Sequence, residues 1–245
     1  MTVTTEALVT RWEQLRAIKN LMGRMSADYV LKKEGEMFEK YWARREDVSL
    51  GVNEGWYVGA EAVSGYYRTL AEQIMTQSRL LQSIFPQELG EKTDEELRGV
   101  GTMDYKPIDT PVVEIAADGQ TAKGIWCIRG SHTKITTAGP VAYWEWGWFA
   151  ADFILEDGAF RIWHLQYLQE VLRPNGHPWY GSGDVYPELP EFAPAAEFQF
   201  PQPNEPQVLR PRYTADRPFM PSPRVPEPYD TFADTFSYGW KEAAR

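Results

Sequence analysis

AYWEWGWFAADFILEDGAFRIWHLQYLQ, residues 142–169, holds four tryptophans around one turn signal, Asp157-Gly158. An Asp-Gly pair between apolar, aromatic and β-branched runs is the strongest short-range sign of a two-residue β-hairpin. The turn fixes a register. Glu156 faces Ala159, Leu155 faces Phe160, Phe153 faces Ile162, Ala151 faces His164, Phe149 faces Gln166 and Gly147 faces Leu168. One face then carries Tyr143, Glu145, Gly147, Phe149, Ala151, Phe153, Ile162, His164, Gln166 and Leu168. The other carries Trp144, Trp146, Trp148, Asp152, Ile154, Arg161, Trp163 and Tyr167, with Asp152 and Arg161 placed to pair on the diagonal. Neither face suits water, so the sheet must be covered twice, by helices, a partner subunit or its own curvature around a ligand.

Upstream, apolar residues from Leu8 to Val30 recur at three- and four-residue spacing and predict a helix from Thr5 to about Lys33, capped by Thr5. A short helix over Glu36 to Arg44 follows, then two strand-like segments, VSLGV and WYVG, joined by an NEG turn. A third helix spans Ala60 to Phe85 and stops at Pro86. Beyond a polar connector the period changes from about 3.6 to 2. Strands are expected over Thr110–Ala116 and Thr121–Arg129 around Asp118-Gly119, and a loop from Gly130 to Pro140 leads into the aromatic hairpin. Helices followed by a four-strand meander make an α+β domain over residues 1–172. Residues 173–245 hold most of the 18 prolines together with many large aromatics, Trp179, Phe198, Tyr229, Phe236 and Tyr238 among them. That composition predicts an ordered arm packed on its own domain or on a neighbouring subunit.

The formal charge is −10, with a pI near 4.9 and no cluster of Lys and Arg, which argues against nucleic acid or an anionic membrane as partner. Cys127 is the one cysteine, so neither an internal disulfide nor a cysteine zinc site can form; an inert buried thiol is expected. No apolar run reaches membrane length and the first residues lack a leader's apolar stretch, so a cytoplasmic chain is expected. Neither HxH, HExxH, GxGxxG, GxxxxGK[ST] nor GxSxG occurs, which argues against metal, nucleotide and covalent serine chemistry.

Two phrases, PVVEIAADGQTAKGIWCIRG and WGWFAADFILEDGAFRIWHLQYLQEV, following a helix, a strand pair and GAEAVSGYY, resemble the SnoaL-like branch of the NTF2-like superfamily over about residues 5–172. The resemblance implies a cone: a strongly bent antiparallel sheet wrapped on N-terminal helices around a deep pocket, often paired through the sheet. It further implies cofactor-independent chemistry with Asp, His and Tyr in a dry cavity.

On that basis His164 is the candidate base, since the hairpin register sets it beside Glu145, Phe149 and Gln166 on the face the resemblance puts inside the cone. The alternative is a structural histidine with both nitrogens satisfied. Glu145 is expected to reach substrate or a basic residue. Tyr29 and Asp28, ending the first helix where related enzymes place polar pocket residues, are the candidate acid or oxyanion donor and its neighbour; the alternative for Tyr29 is a core tyrosine. Tyr41, Trp42, Tyr66 and Tyr67 line an aromatic slot or are simply core. Lys106 and Arg129, the basic residues nearest the sheet, either bind substrate or are solvated at a strand edge. His132, with Lys134 near the cone's mouth, and His177 at the head of the arm are expected at the surface.

The function expected is a lyase or dehydratase without cofactor or metal, acting on a small hydroxylated aromatic compound, for example by deformylating a lignin-derived diarylpropane. A steroid or polyketide dehydratase or isomerase, and a non-catalytic binding or assembly module, are the alternatives. A homodimer or larger homo-oligomer through the outer sheet face and the arm is expected.

Overall fold

The structure is a computed structural model that describes residues 4–136, 139–178, 202–206, 212–216 and 223–240. Helix α1 runs Thr5–Val30, capped by the Thr4 hydroxyl, which accepts from the Ala7 amide at 3.2 Å. Its second half is buried through Ile18, Met22, Met25 and Tyr29, whereas Leu8 and Trp12 in the first half are exposed. The helix ends sooner than its periodicity suggests, because Lys32 adopts φ 56° and reverses the chain. A 3-10 turn at Glu34–Glu36 and helix α2, Met37–Tyr41, follow.

Strands β1, Ser49–Val52, and β2, Gly55–Val58, form the small hairpin read from the sequence. Helix α3 is Ala60–Ile84. The polar connector holds two short helices: α4, Pro86–Leu89, and α5, Asp94–Leu97, whose Thr93/Glu96 capping box compensates for its brevity. Then come β3, Asp104–Tyr105; β4, Ile108–Ile115; β5, Thr121–Thr136; β6, Gly139–Glu156; and β7, Ala159–Pro174. The sheet order is β2-β1-β7-β6-β5-β3, with β4 also paired to β5. Helices first and a bent sheet second is the α+β architecture that the SnoaL-like resemblance implies.

One expectation is corrected, and one pairing is new. Residues 130–136 and 139–140 are not a loop: β5 and β6 stay paired from Thr121↔Ile154 to Thr136↔Gly139. In addition, β1 joins the sheet in parallel with β7, Ser49 lying opposite His164, a long-range pairing that no local pattern announces.

The Asp157-Gly158 turn pairs Glu156↔Ala159, Leu155↔Phe160 and Phe153↔Ile162 as expected, and then the register slips. Between Asp152 and Phe153 one extra residue of β7 bulges out, so Asp152 faces His164, Ala151 faces Leu165 and Phe149 faces Tyr167. A one-residue slip exchanges the two faces of a strand. Tyr167 therefore turns inward, and His164 and Gln166 turn outward.

The inner face, with Trp126, Ile128, Phe149, Phe153, Leu165 and Tyr167, packs on α1 and α3 and forms the main core. The outer face is covered by residues 223–240. Tyr238 packs on Ile125 and Ala150, and Phe236 and Trp148 extend that cluster. Beneath them Lys123 and Asp152, both fully buried, pair at 2.6 Å, so Asp152 meets Lys123 and not Arg161. The second oxygen of Asp152 accepts from the Ser237 hydroxyl and the Tyr238 amide, each at 2.7 Å, and the Lys123 ammonium lies 4.4 Å from the Phe232 ring centre. Two faces with two covers account for the tryptophans of the hairpin. Trp179, Tyr180, Phe192, Phe198, Phe200, Phe219 and Met220 of the arm lie outside the described residues.

Candidate functional site

A cavity of about 350 Å³ opens between the end of α1, α3 and the inner face of the sheet. Tyr29, Tyr57, Tyr66 and Tyr167 wall it, with Val52 and Leu70; its polar lining is Glu34, Asn53, Glu54, Asp104, Lys106, His132 and Gln169. Gln202 and Pro203 of the C-terminal chain add to its rim, where Glu205 pairs with Trp56 and the Asn204 side chain bonds both the amide and the carbonyl of Val58.

His132 comes from the segment that the sequence suggests is a surface loop. As a residue of β5 it lies opposite Asp104 of β3, and its Nδ1 is hydrogen-bonded to Oδ1 of Asp104. The two strands approach closely because Gly130 has no side chain: a Cβ there would stand 2.0 Å from the Tyr105 carbonyl oxygen. Asp104 also receives Lys32 on its other oxygen. Burial pushes its carboxyl up, but Lys106, His132 and Lys32 outweigh that and hold it well below the usual carboxylate range. The aspartate on Nδ1 fixes the orientation of the imidazole and leaves Nε2 as the ring nitrogen available to a substrate.

Lys106 follows β3 and is buried. Its ammonium is 3.8 Å from Asp104 Oδ1 and 3.8 Å from Glu145 Oε1, and lies 4.8 Å and 5.0 Å from the ring centres of Tyr29 and Tyr167. Burial works against its charge, yet Glu145 and Asp104 more than offset that and raise it above the ordinary lysine value. Ser26 donates to its carbonyl oxygen at 2.5 Å and fastens this segment to α1. Glu145, fully buried, accepts on Oε1 from the Tyr167 hydroxyl and, at 2.9 Å, from Gln169; its Oε2 has no hydrogen-bond partner among the described residues.

Asp104, His132 and Glu145 each offer one ligand atom, all within 4.8 Å of one another. These are donors that a divalent cation accepts, but the Lys106 ammonium already stands beside both carboxylates and supplies the balancing charge. Drawn from three strands, the set has no sequence spacing by which it could be found.

Glu34 was not singled out by the sequence. It is 1% exposed, and neither carboxyl oxygen has a hydrogen-bond partner among the described residues. Burial pushes it up to about 7, against the pull of its own backbone amide, Lys32 and Lys106. Tyr29 is raised well above the ordinary phenol, first by burial and then by Tyr67 and Tyr66, so it stays a neutral donor.

Of the residues expected at a site, Tyr29 and Lys106 line the cavity, and Glu145 reaches Lys106 as a basic partner. Phe149 backs the wall, stacked between Tyr29 and Tyr167 with ring centres 6.4 Å and 4.9 Å away. Tyr67 lies behind it in the core, edge-on to Trp42 at 6.2 Å; burial raises its phenol to about 12 while Trp42 and Tyr29 pull the other way. The remainder point elsewhere. His164 is turned outward by the bulge, its Nδ1 3.0 Å from Ser49 Oγ, its ring stacked on Trp163 and roofed by Gly239, where a Cβ would come within 2.9 Å of the ring. Burial lowers its pKa. Gln166, also outward, donates to the Tyr238 carbonyl at 2.9 Å. Asp28 accepts from Tyr41 at 2.6 Å and Lys40 at 3.3 Å, on a side of α1 away from the cavity lining. Arg129 is exposed and paired with Asp109 at 2.5 Å. His177 is exposed, as expected.

No protein-family model and no curated protein matches the chain. Solved structures similar to it include a hexachlorocyclohexane dehydrochlorinase from Novosphingobium barchaimii, 12% identical, covering 71% of this chain and 99% of that one at a TM-score of 0.48. An NTF2-like protein with a cystatin-like fold from Novosphingobium aromaticivorans is 12% identical over 69% of this chain and 92% of its own, with a TM-score of 0.43. A Mycobacterium tuberculosis protein of unknown function reaches 16% identity over 69% and 75%, also at 0.43. Among the described residues no helix is long and apolar enough to cross a membrane.

Proposed function

We propose that the tyrosine-walled cavity carries out cofactor-independent elimination, as a lyase or dehydratase, on a small hydroxylated aromatic compound. His132 is the base, Asp104 holds it, and Tyr29 and Lys106 stabilise the negative charge that develops on the substrate oxygen. His132 takes a proton from carbon or hydroxyl, the electron pair forms the new double bond, and the bond to the leaving group breaks. Loss of water from an aryl carbinol follows this scheme directly; loss of formaldehyde from a diarylpropane diol adds a C–C cleavage, in which the O–H pair becomes the formaldehyde C=O, the C–C pair becomes the C=C bond and the benzylic hydroxyl leaves.

The observation that carries the reading is the Asp104-bound His132 in a cavity lined by Glu34, whose carboxyl oxygens have no hydrogen-bond partner among the described residues. A cavity built only to bind or assemble would have its polar groups tied to the protein; the Glu34 carboxyl is not, among the described residues. Four tyrosines in the wall favour aromatic substrates over the steroid alternative.

The test is a thermal-shift panel of methoxyphenols, diarylpropane diols, steroids and polyketide-like ketones, each hit then assayed for product. Aromatic hits that bind Tyr29→Phe almost normally but turn over about 10²-fold more slowly support the reading. Hits confined to steroids, or turnover indifferent to Tyr29 and His132, contradict it.

A further inference from the structure

We infer that Glu34 is the acid of this site, donating a proton to the oxygen that leaves. The inference rests on the elimination reading above and names the group that the reading leaves open.

Glu34 is held at the cavity by a chain reversal. After α1 ends, Lys32 takes its left-handed conformation, and the 3-10 turn Glu34–Glu36 seats its backbone against α3, where a Cβ on Gly35 would stand 3.4 Å from that of Ala71. Glu34 joins the lining beside Tyr29 and Lys106, and neither carboxyl oxygen finds a hydrogen-bond partner among the described residues. The groups around it are Lys32 and Tyr29 at the end of α1, Tyr67 on α3, and Asp104 and Lys106 beside β3. Lys32 is bonded to Asp104, and the Lys106 ammonium stands beside the Asp104 and Glu145 carboxylates, so both cations are shared with other anions. A carboxyl that is dry and without its own cation keeps its proton. A buried O–H then needs an acceptor, and a substrate oxygen seated in the cavity beside Glu34 would supply one.

The cavity thus holds a base, His132, and an acid, Glu34. In dehydration His132 takes the proton from carbon, the C–H pair becomes the double bond, and the C–O bond breaks. The departing oxygen takes the Glu34 proton and leaves as water. Glu34 ends as carboxylate and His132 as imidazolium, and one proton passed from His132 to Glu34 through solvent restores both. This selects substrates whose leaving group is a hydroxyl or ether oxygen over those that lose a halide, which needs no proton.

The test uses infrared difference spectroscopy on carbon-13-labelled protein between about pH 5 and about pH 9, comparing wild type with Glu34→Gln. Both are recorded with and without saturating 4-methoxyacetophenone, a neutral aryl ketone that can only accept a hydrogen bond. A carboxylic-acid band that Glu34→Gln lacks, that persists near neutrality and that shifts with the ketone is the expected result. A missing band, or one that the ketone leaves unmoved, overturns the inference. On any aromatic carbinol that turns over, Glu34→Gln should keep KM and lose kcat by about 10²-fold or more, while Glu34→Asp keeps part of it. If His132→Ala abolishes turnover and Glu34→Gln does not, this inference fails alone. If His132→Ala leaves turnover intact, the elimination reading fails first.

Discussion

The Lys106 ammonium lies 3.8 Å from Glu145 Oε1, with the two side chains 9% and 1% exposed. At such depth each charge is tolerable only because of the other. Lys106→Ala strands Glu145 and removes one of the cations beside Asp104, so a loss of about 3–5 kcal/mol is expected in urea unfolding at neutral pH. The same variant frees the Asp104, His132 and Glu145 donors for a cation. Added Zn²⁺ should therefore raise its melting temperature well beyond any effect on wild type. Equal metal responses in the two proteins would show that the ammonium is not the group holding that place.

Asp152 anchors the outer cover. It takes Lys123, Ser237 and the Tyr238 amide on its two oxygens. Asp152→Ala leaves the Lys123 ammonium buried beneath aromatic rings, and should lower stability by about 3–5 kcal/mol while exposing the segment 223–240 to limited proteolysis. Unchanged proteolysis would mean that the aromatic contacts hold the segment by themselves.

His164 should matter for stability and not for turnover. Burial lowers its pKa in the folded state. Its contribution is therefore fully present above the unfolded value of about 6.5, and is lost as pH falls from there towards the folded value. Wild type should lose stability on acidification through that window more steeply than His164→Gln. Parallel curves would place an unburied, freely titrating imidazole at this position.

Glu34 acts with the opposite sign. Its carboxyl is raised from 4.5 to about 7, so its contribution is full below 4.5 and declines as pH rises towards 7. Glu34→Gln should abolish a pH-dependent change of about 3 kcal/mol over that interval. If the two proteins change in step, the native carboxyl is ionised at the cavity.

The helices, the Asp157-Gly158 hairpin and the two-sided burial of its sheet were legible because each is a local pattern, a turn pair or a period. What failed was the far half of the hairpin. A turn propagates its register only until a bulge, and the extra residue of β7 near Trp163 leaves no compositional mark, so His164 and Tyr167 exchanged faces. His132 reads as a loop residue because Gly130 and Pro140 signal a break, whereas β5 continues through Thr136 and β6 begins at Gly139. Its partner Asp104 is 28 residues away, brought close by a strand of two residues. Glu34 sat unnoticed in a charged run, KKEGE, that reads as solvated; only the chain reversal at Lys32 turns it inward. Lys106 and Tyr29, which line the cavity, stand out in a single sequence as a lysine between strands and a tyrosine on an apolar stripe, each of which reads equally as an edge or core residue.

The most direct measurement compares His132→Ala and His164→Ala in parallel for kcat and for melting temperature, on the first aromatic carbinol or diarylpropane diol that the wild type converts. The account predicts that His132→Ala loses about 10³-fold in kcat and still folds, whereas His164→Ala keeps its kcat and melts at a lower temperature. Turnover lost in His164→Ala and retained in His132→Ala would contradict it, and would return the chemistry to the outer face of the sheet.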